Sequence, residues 1–285
     1  MTLTVGSALH RAAERLAAVG IDTARLDARL LLAEVVGLSP QALFSKPHLE
    51  LTVGEIERFE GLMARREARE PVSHLLGRRG FWTLDLTVSA AVLDPRPDTE
   101  TLVEAVLAMV PDRARPLRIV DFGTGSGCIL LALLSELRFA TGLGIDRSPA
   151  ALAVAQANAH AAGLAERAEF RQGDWGEGLD GSFDVVVSNP PYIPEDEIDG
   201  LEPEVARFEP RLALAGGPDG LDCYRALAPH ISRLLAADGV AALEVGMGQA
   251  ADVAAILSGA GLVNQGVHRD LAGVERCVLA GSRKK

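Results

Sequence analysis

From Leu117 onward the chain alternates short apolar runs with stretches of helical periodicity, and this alternation constrains the fold more than any other feature. Strands are predicted at 118–122, 142–146, 168–172, 183–188, 240–245, 262–268 and 276–280, with helices at 128–137, 149–162, 224–236 and 250–259. Runs such as Phe183-Asp184-Val185-Val186-Val187 are almost continuously apolar, as strands buried on both faces must be. Alternation of this kind builds an α/β domain, a mostly parallel seven-stranded sheet with helices on both faces. Such sheets bind ligands at the carboxyl ends of their strands. The residues that close each strand are therefore the candidates for function.

The first strand runs into Asp121-Phe122-Gly123-Thr124-Gly125-Ser126-Gly127. Glycines let the backbone bend sharply and let a ligand approach, and the helix behind offers free N–H groups. The dinucleotide fingerprint is Gly-x-Gly-x-x-Gly. Here the spacing is Gly-x-Gly-x-Gly, and Cys128 stands where the last fingerprint glycine would fall, which disfavours a nicotinamide cofactor. Asp121 can accept from the glycine loop or from a ligand amine. The second strand closes on Asp146, placed to accept from both hydroxyls of a ribose. The third closes on Gly173-Asp174-Trp175, a carboxylate and an indole suited to the edge and face of an adenine. No P-loop lysine is present to demand a phosphate. S-adenosylmethionine, a nucleoside with an amino-acid tail, fits this set best.

The fourth strand ends in Val187-Ser188-Asn189-Pro190-Pro191-Tyr192. Two prolines remove two backbone donors and fix two φ angles, and Asn189, preceding a proline, is kept out of the α region. A side-chain amide is thus held on a stiff turn at a strand's carboxyl end. With one acceptor and two donors it can grip another planar NH₂ group.

Upstream, residues 7–69 read as helices. Leu9, Ala13, Leu16 and Ala17 form one stripe, stopped by Gly20; Leu26, Leu30, Leu31 and Val35 form another, stopped by Gly37. A third helix starts at Thr52 with Glu55 as a capping-box partner and buries Ile56, Phe59, Leu62 and Met63. Arg58, Arg65, Arg66 and Arg69 are expected on its other side, as a solvated face or, in the sharper reading, a docking surface. Phe81 to Val88 alternates as a strand or hairpin linking this bundle to the sheet. Arg96, on a proline-stiffened loop, is expected either to pair with Glu100 or to belong to a site. His74 and His268 are expected to be structural, and the basic tail Arg283-Lys284-Lys285 to fray.

A net charge of −11 argues against holding nucleic acid through its phosphates. Three scattered cysteines suggest neither a disulfide framework nor a zinc site, and no metal is called for. No charged and then apolar leader and no run long enough to span a bilayer stands out, so a cytoplasmic protein without membrane contact is expected. A monomer is the expected state.

A glycine turn, an acidic second-strand end and then Asn-Pro-Pro-Tyr resembles the class I (Rossmann-like) methyltransferases that modify planar nitrogens. Pro71-Val72-Ser73-His74-Leu75-Leu76-Gly77, Arg96-Pro97-Asp98-Thr99-Glu100, Arg207-Phe208-Glu209-Pro210, Gly216-Gly217-Pro218-Asp219-Gly220-Leu221-Asp222 and Arg269-Asp270-Leu271-Ala272-Gly273 resemble the PrmC/HemK family of peptide-chain release factor glutamine methyltransferases. Asp94 departs from the family's usual aliphatic residue. The resemblance implies an N-terminal substrate-recognition bundle at 1–78, a hairpin linker at 79–94 and a catalytic domain at 95–285. It implies S-adenosylmethionine bound by Gly123, Thr124, Gly125, Ser126, Gly127, Asp146, Trp175 and Asn189, with Asp174 beside them, and S-adenosylhomocysteine as product. Asn189, Pro190, Pro191 and Tyr192, with Arg96, would bind the glutamine of the Gly-Gly-Gln loop of class I release factors. Asn189, Pro190 and Tyr192 would carry the chemistry. The alternative is an adenine amino-methyltransferase acting on DNA or RNA, since adenine presents the same planar NH₂. A nucleoside-binding module without catalysis is a more distant one.

Overall fold

The computed structural model describes residues 3–283, so Lys284 and Lys285 of the basic tail lie outside the described residues. The chain forms two compact units, one of residues 1–78 together with 203–208, the other of residues 79–202 and 209–285.

The first unit holds helices α1 (Val5–Ala18), α2 (Ala24–Val36), α3 (Val53–Glu67) and α4 (Val72–Leu76), with the short α8 (Pro203–Phe208). Thr52 and Glu55 form the expected capping box on α3, each side chain satisfying an orphan N–H of the other. The buried faces differ from the predicted stripes. On α1 they are Val5, Ala8, Ala12 and Leu16, and Ala17 is exposed; on α2 Leu26 is exposed while Asp27 and Ala28 are buried. The arginine face is also corrected. Arg66 is 4% exposed, with Nε 2.8 Å from Asp27 and Nη2 2.8 Å from Glu204 of α8. Arg69 adds a 2.7 Å contact to the same glutamate. Arg66 is thus the buried cation of a small polar cluster, which a stripe count cannot reveal because its partner Glu204 is distant in sequence.

The second unit opens with a two-stranded hairpin, β1 (Arg78–Phe81) and β2 (Leu84–Thr87), and helix α5 (Glu100–Met109). Its sheet comprises β3 (Arg118–Phe122), β4 (Thr141–Asp146), β5 (Ala168–Gln172), β6 (Phe183–Ser188), β7 (Leu235–Glu244), β8 (Leu262–Arg269) and β9 (Glu275–Ser282). The order is β5-β4-β3-β6-β7-β9-β8; every pair is parallel except those made by β9. Helices α6 (Cys128–Glu136), α7 (Pro149–Ala161), α9 (Asp222–Leu234) and α10 (Ala250–Gly259) connect the strands. β7 starts at Leu235, earlier than predicted, because a register shift opposite Phe183 lets the segment before Gly239 run extended. Successive strand residues face opposite sides. Ile119, Val185, Val187 and Ala242 join α5 and α6 in one core; Val120, Phe122, Val186 and Leu243 join α9 and α10 in the other. The strand order turns back at β3, between β4 and β6, and the site lies at that switch point.

Candidate active site

At the carboxyl end of β3 the chain bends through Gly123, Gly125 and Gly127, with φ of 70°, 54° and 81°. These are left-handed values that a side chain would strain. The N–H groups of Gly123 and Thr124 both donate to the Ile145 carbonyl, at 2.8 and 3.0 Å, so the bend is tied to the end of β4. A Cβ at Gly144 of β4 would fall 2.9 Å from Thr124 Oγ1 and 2.6 Å from the Phe170 ring; the missing side chain admits the bend. Thr124 Oγ1 donates to Asp121 Oδ2 at 2.7 Å. Asp121 is fully buried, its Oδ1 has no hydrogen-bond partner, and burial pushes its carboxyl up to about 7. Of the two roles expected of Asp121, the structure displays the one within the glycine loop.

Asp146 ends β4. Its Oδ2 accepts from Gly125 N–H and its Oδ1 from Ser148 N–H, both at 2.9 Å. These bonds fix the carboxylate at the rim and leave lone pairs for a ligand. Trp175, at φ 48°, lays its ring over the bend, 3.6 Å from where a Gly123 Cβ would be. A cleft opens here, lined by Gly123, Thr124, Gly125, Ser126, Asp146 and Trp175 of the predicted cofactor set. Ile145, Ala151, Val92 and Ile129 add apolar walls. An apolar slot with one fixed carboxylate at its rim suits a nucleoside. Gly127 and Asp174 are not among the lining residues. Gly127 instead caps α6 and packs against Ala155 and Leu131; Asp174 is half-buried, 3.9 Å from Arg147 Nε.

From the next strand, Ser188 Oγ donates to the Phe122 carbonyl at 2.7 Å, locking the end of β6 against β3. Asn189 and Pro191 line the same cleft. Asn189 Nδ2 lies 3.4 Å from Thr99 Oγ1. Pro190 is buried and Tyr192 packs on the core beside α9 and α10; neither lines the cleft. Burial pushes the Tyr192 phenol up to about 12. Arg96 lines the cleft too, and its Nη2 is 2.6 Å from Glu209 Oε1. The Glu100 pairing is therefore replaced, since Glu100 accepts the Trp82 N–H at 2.7 Å. Burial pushes Glu209 up to about 7, with Asp94 nearby adding to the rise. Asp94 is buried, with Arg79 Nε 3.9 Å away.

The family profile described as "PrmC N-terminal domain" matches residues 7–77, and a "Methyltransferase domain" profile matches residues 115–257. The release factor glutamine methyltransferase of Rhodospirillum rubrum is 54% identical, covering 99% of this chain and 86% of that protein. Those of Caulobacter vibrioides and Moorella thermoacetica are 48% and 44% identical, covering 98% and 99% of this chain and 96% and 100% of theirs. The chain belongs to the release factor glutamine methyltransferase family. Its sheet is the class I methyltransferase fold, as the resemblance implied, and the mostly parallel order follows the strand–helix alternation.

For a release factor glutamine methyltransferase, the cleft also contains residues that motif reasoning passed over. Cys128 and Cys223 line it, and burial raises both thiols, to about 12 and about 11, so neither is poised as a nucleophile. Glu244, at the end of β7, does not line the cleft; it is 1% exposed beside Asn189 and Thr99. The available signal was a lone acid closing Val240-Ala241-Ala242-Leu243, an otherwise apolar strand.

Proposed function

We propose that this chain transfers a methyl group from S-adenosylmethionine to the side-chain amide nitrogen of the glutamine in the Gly-Gly-Gln motif of class I peptide-chain release factors. The observation that carries this reading is the placement of Asn189 in one cleft with the glycine bend and Asp146. The sulfonium, when bound, supplies an already activated methyl group. The chain's residues do the rest by positioning. An amide nitrogen is a weak nucleophile because its lone pair is delocalised. Asn189 Oδ1 and the Pro190 carbonyl each accept one hydrogen of the substrate amide, holding the nitrogen and favouring its pyramidal form; once the nitrogen carries the methyl group, one of these hydrogens leaves as a proton. Tyr192, behind them, stiffens the turn.

Gly123, Thr124, Gly125, Ser126, Asp146 and Trp175 hold the cofactor, with Gly127 and Asp174 supporting the bend and the third strand end. Arg96 and Pro191 shape the substrate side. Residues 1–78 recognise the release factor, since one glutamine offers little area for specificity; residues 79–94 link them to the catalytic residues 95–285. We read the protein as a cytoplasmic monomer without direct contact to nucleic acid, which the charge of −11 supports. Among the described residues no helix is long and apolar enough to cross a membrane. The experiment is mass spectrometry of the release-factor loop peptide after incubation with this protein and S-adenosylmethionine. Addition of one methyl to the glutamine is expected; methylation of plasmid DNA in place of the peptide would overturn the reading.

A further inference from the structure

β6 and β7 run parallel, with Ser188 opposite Leu243. One step further along each strand come Asn189 and Glu244. Tyr224 Oη donates to the Glu244 carbonyl at 2.8 Å, pinning its main chain from α9. Tyr192 Oη lies 3.5 Å from Glu244 Oε1. Asn189 Nδ2 lies 3.4 Å from Thr99 Oγ1, and both side chains favour the charged form of the Glu244 carboxylate. Glu244 Oε2 has no hydrogen-bond partner, so the carboxylate has accepting capacity to spare. It is a buried acid at a costly position, and the proposed chemistry does not touch it.

An ionised carboxylate only accepts hydrogen bonds, whereas an asparagine amide donates from one end and accepts at the other. A carboxylate that takes the NH₂ end leaves Oδ1 facing away from it. We infer that Glu244 is a positioning residue: it holds the Asn189 amide by its nitrogen end and keeps Oδ1 turned into the cleft, where it accepts a hydrogen of the substrate amide. This inference rests on the methyl-transfer reading. Without Glu244 the Asn189 amide can flip, and its NH₂ would then meet the substrate's NH₂, donor against donor.

Protonation should have the same effect as removal. A protonated Glu244 donates, and Asn189 Oδ1 turns toward it. Burial pushes Glu244 up to about 7. The charged and titratable groups facing it are Asp98 beside Thr99, Cys128 of α6, Tyr192, Tyr224 of α9, and Arg276 and Cys277 of β9. Arg276 favours the charged form and Asp98, 3.4 Å from Arg276, opposes it. The thiols and phenols are all raised by burial and stay neutral. Turnover should therefore rise with pH through a group near neutrality. Asp121 and Glu209 are pushed to the same range, so the deciding quantity is the difference between wild type and a Glu244 variant.

The test compares full-length wild type, Glu244→Gln and Glu244→Leu with a release factor at saturating S-adenosylmethionine. Glu244→Leu should lose kcat by roughly 10²-fold, the range seen when a preorganised polar group is removed. Its KM for the release factor and its affinity for S-adenosylmethionine should stay near wild type. Glu244→Gln keeps an oxygen that accepts from Asn189, so it should recover most of that kcat and lose the Glu244 part of the acid limb. The Asn189 side-chain NH₂ signals, assigned by their loss in Asn189→Ala, should exchange slowly with solvent in wild type and faster in Glu244→Leu. A folded Glu244→Leu enzyme with near-wild-type kcat, or a Glu244→Gln enzyme with an unchanged acid limb, overturns the inference. If Glu244→Leu fails to fold, the Glu244→Gln profile decides. If wild type methylates no release factor, the methyl-transfer reading falls, and the amide signals still decide whether Glu244 orients Asn189.

Discussion

Asn189 stands on a strand end that Ser188 locks to Phe122, so its amide is presented on a backbone with little freedom to adapt. Asn189→Ala should therefore cost turnover and not binding: a fall in kcat of roughly 10²-fold or more, with little change in S-adenosylmethionine affinity. Single-turnover methylation and calorimetric titration separate the two, and near-normal turnover would remove Asn189 from the chemistry. Asp146 should behave in the opposite way. Its oxygens hold Gly125 and Ser148, so Asp146→Ala loosens the bend and, on the proposed reading, removes a ribose partner as well. Weaker S-adenosylmethionine binding is expected in the same titration, and unchanged affinity would refute the ribose role.

The glycine bend depends on its neighbouring strand as much as on its own residues. Gly144→Ala would place a methyl group 2.9 Å from Thr124 Oγ1 and 2.6 Å from the Phe170 ring, both in packed surroundings. Overpacking of this kind costs about 1–3 kcal/mol. Denaturant unfolding should show that loss, with weaker S-adenosylmethionine binding as Thr124 shifts. In the helical unit, Arg66→Ala leaves Asp27 buried without its cation, and breaking such a pair costs roughly 3–5 kcal/mol. A variant as stable as wild type in urea would mean that the Arg66–Asp27 pair does not stabilise the unit. These two sites show what was legible in the sequence. The strands and the long helices follow from periodicity, and the glycine bend, Asp146 and Asn189 follow from their places at strand ends. Gly144 reads as any strand glycine until Thr124 and Phe170 are seen against it. Arg66 reads as one surface arginine among four, because only folding brings Glu204 to it. The buried faces of α1 and α2 differ from the predicted stripes because alanine and leucine recur on more than one stripe, and packing decides which is buried. Helix α8, the six residues Pro203–Phe208, is too short to show a period.

At the scale of the molecule, the switch point gathers acids that the rest of the fold keeps from water. Asp121 at the end of β3, Glu244 at the end of β7 and Glu209 beside Arg96 are all pushed up to about 7, chiefly by burial. A carboxyl whose pKa is raised on folding contributes most when it is protonated in both states. That contribution is whole below the unfolded value, about 4, and is lost as pH rises through the folded value near 7. Asp219 and Asp270, held down by Arg225, Arg276 and backbone N–H groups, act in the other direction and lose their contribution only in acid. The ligand-free protein should therefore melt at a higher temperature near pH 6 than near pH 8, since all three buried acids ionise between them. In a chain of this size each kcal/mol moves the midpoint by ~2–4 °C, so scanning calorimetry should resolve a drop of several degrees. Asp121→Asn should flatten part of that slope. A midpoint that holds or rises over the same range would mean that these carboxylates are already ionised at pH 6.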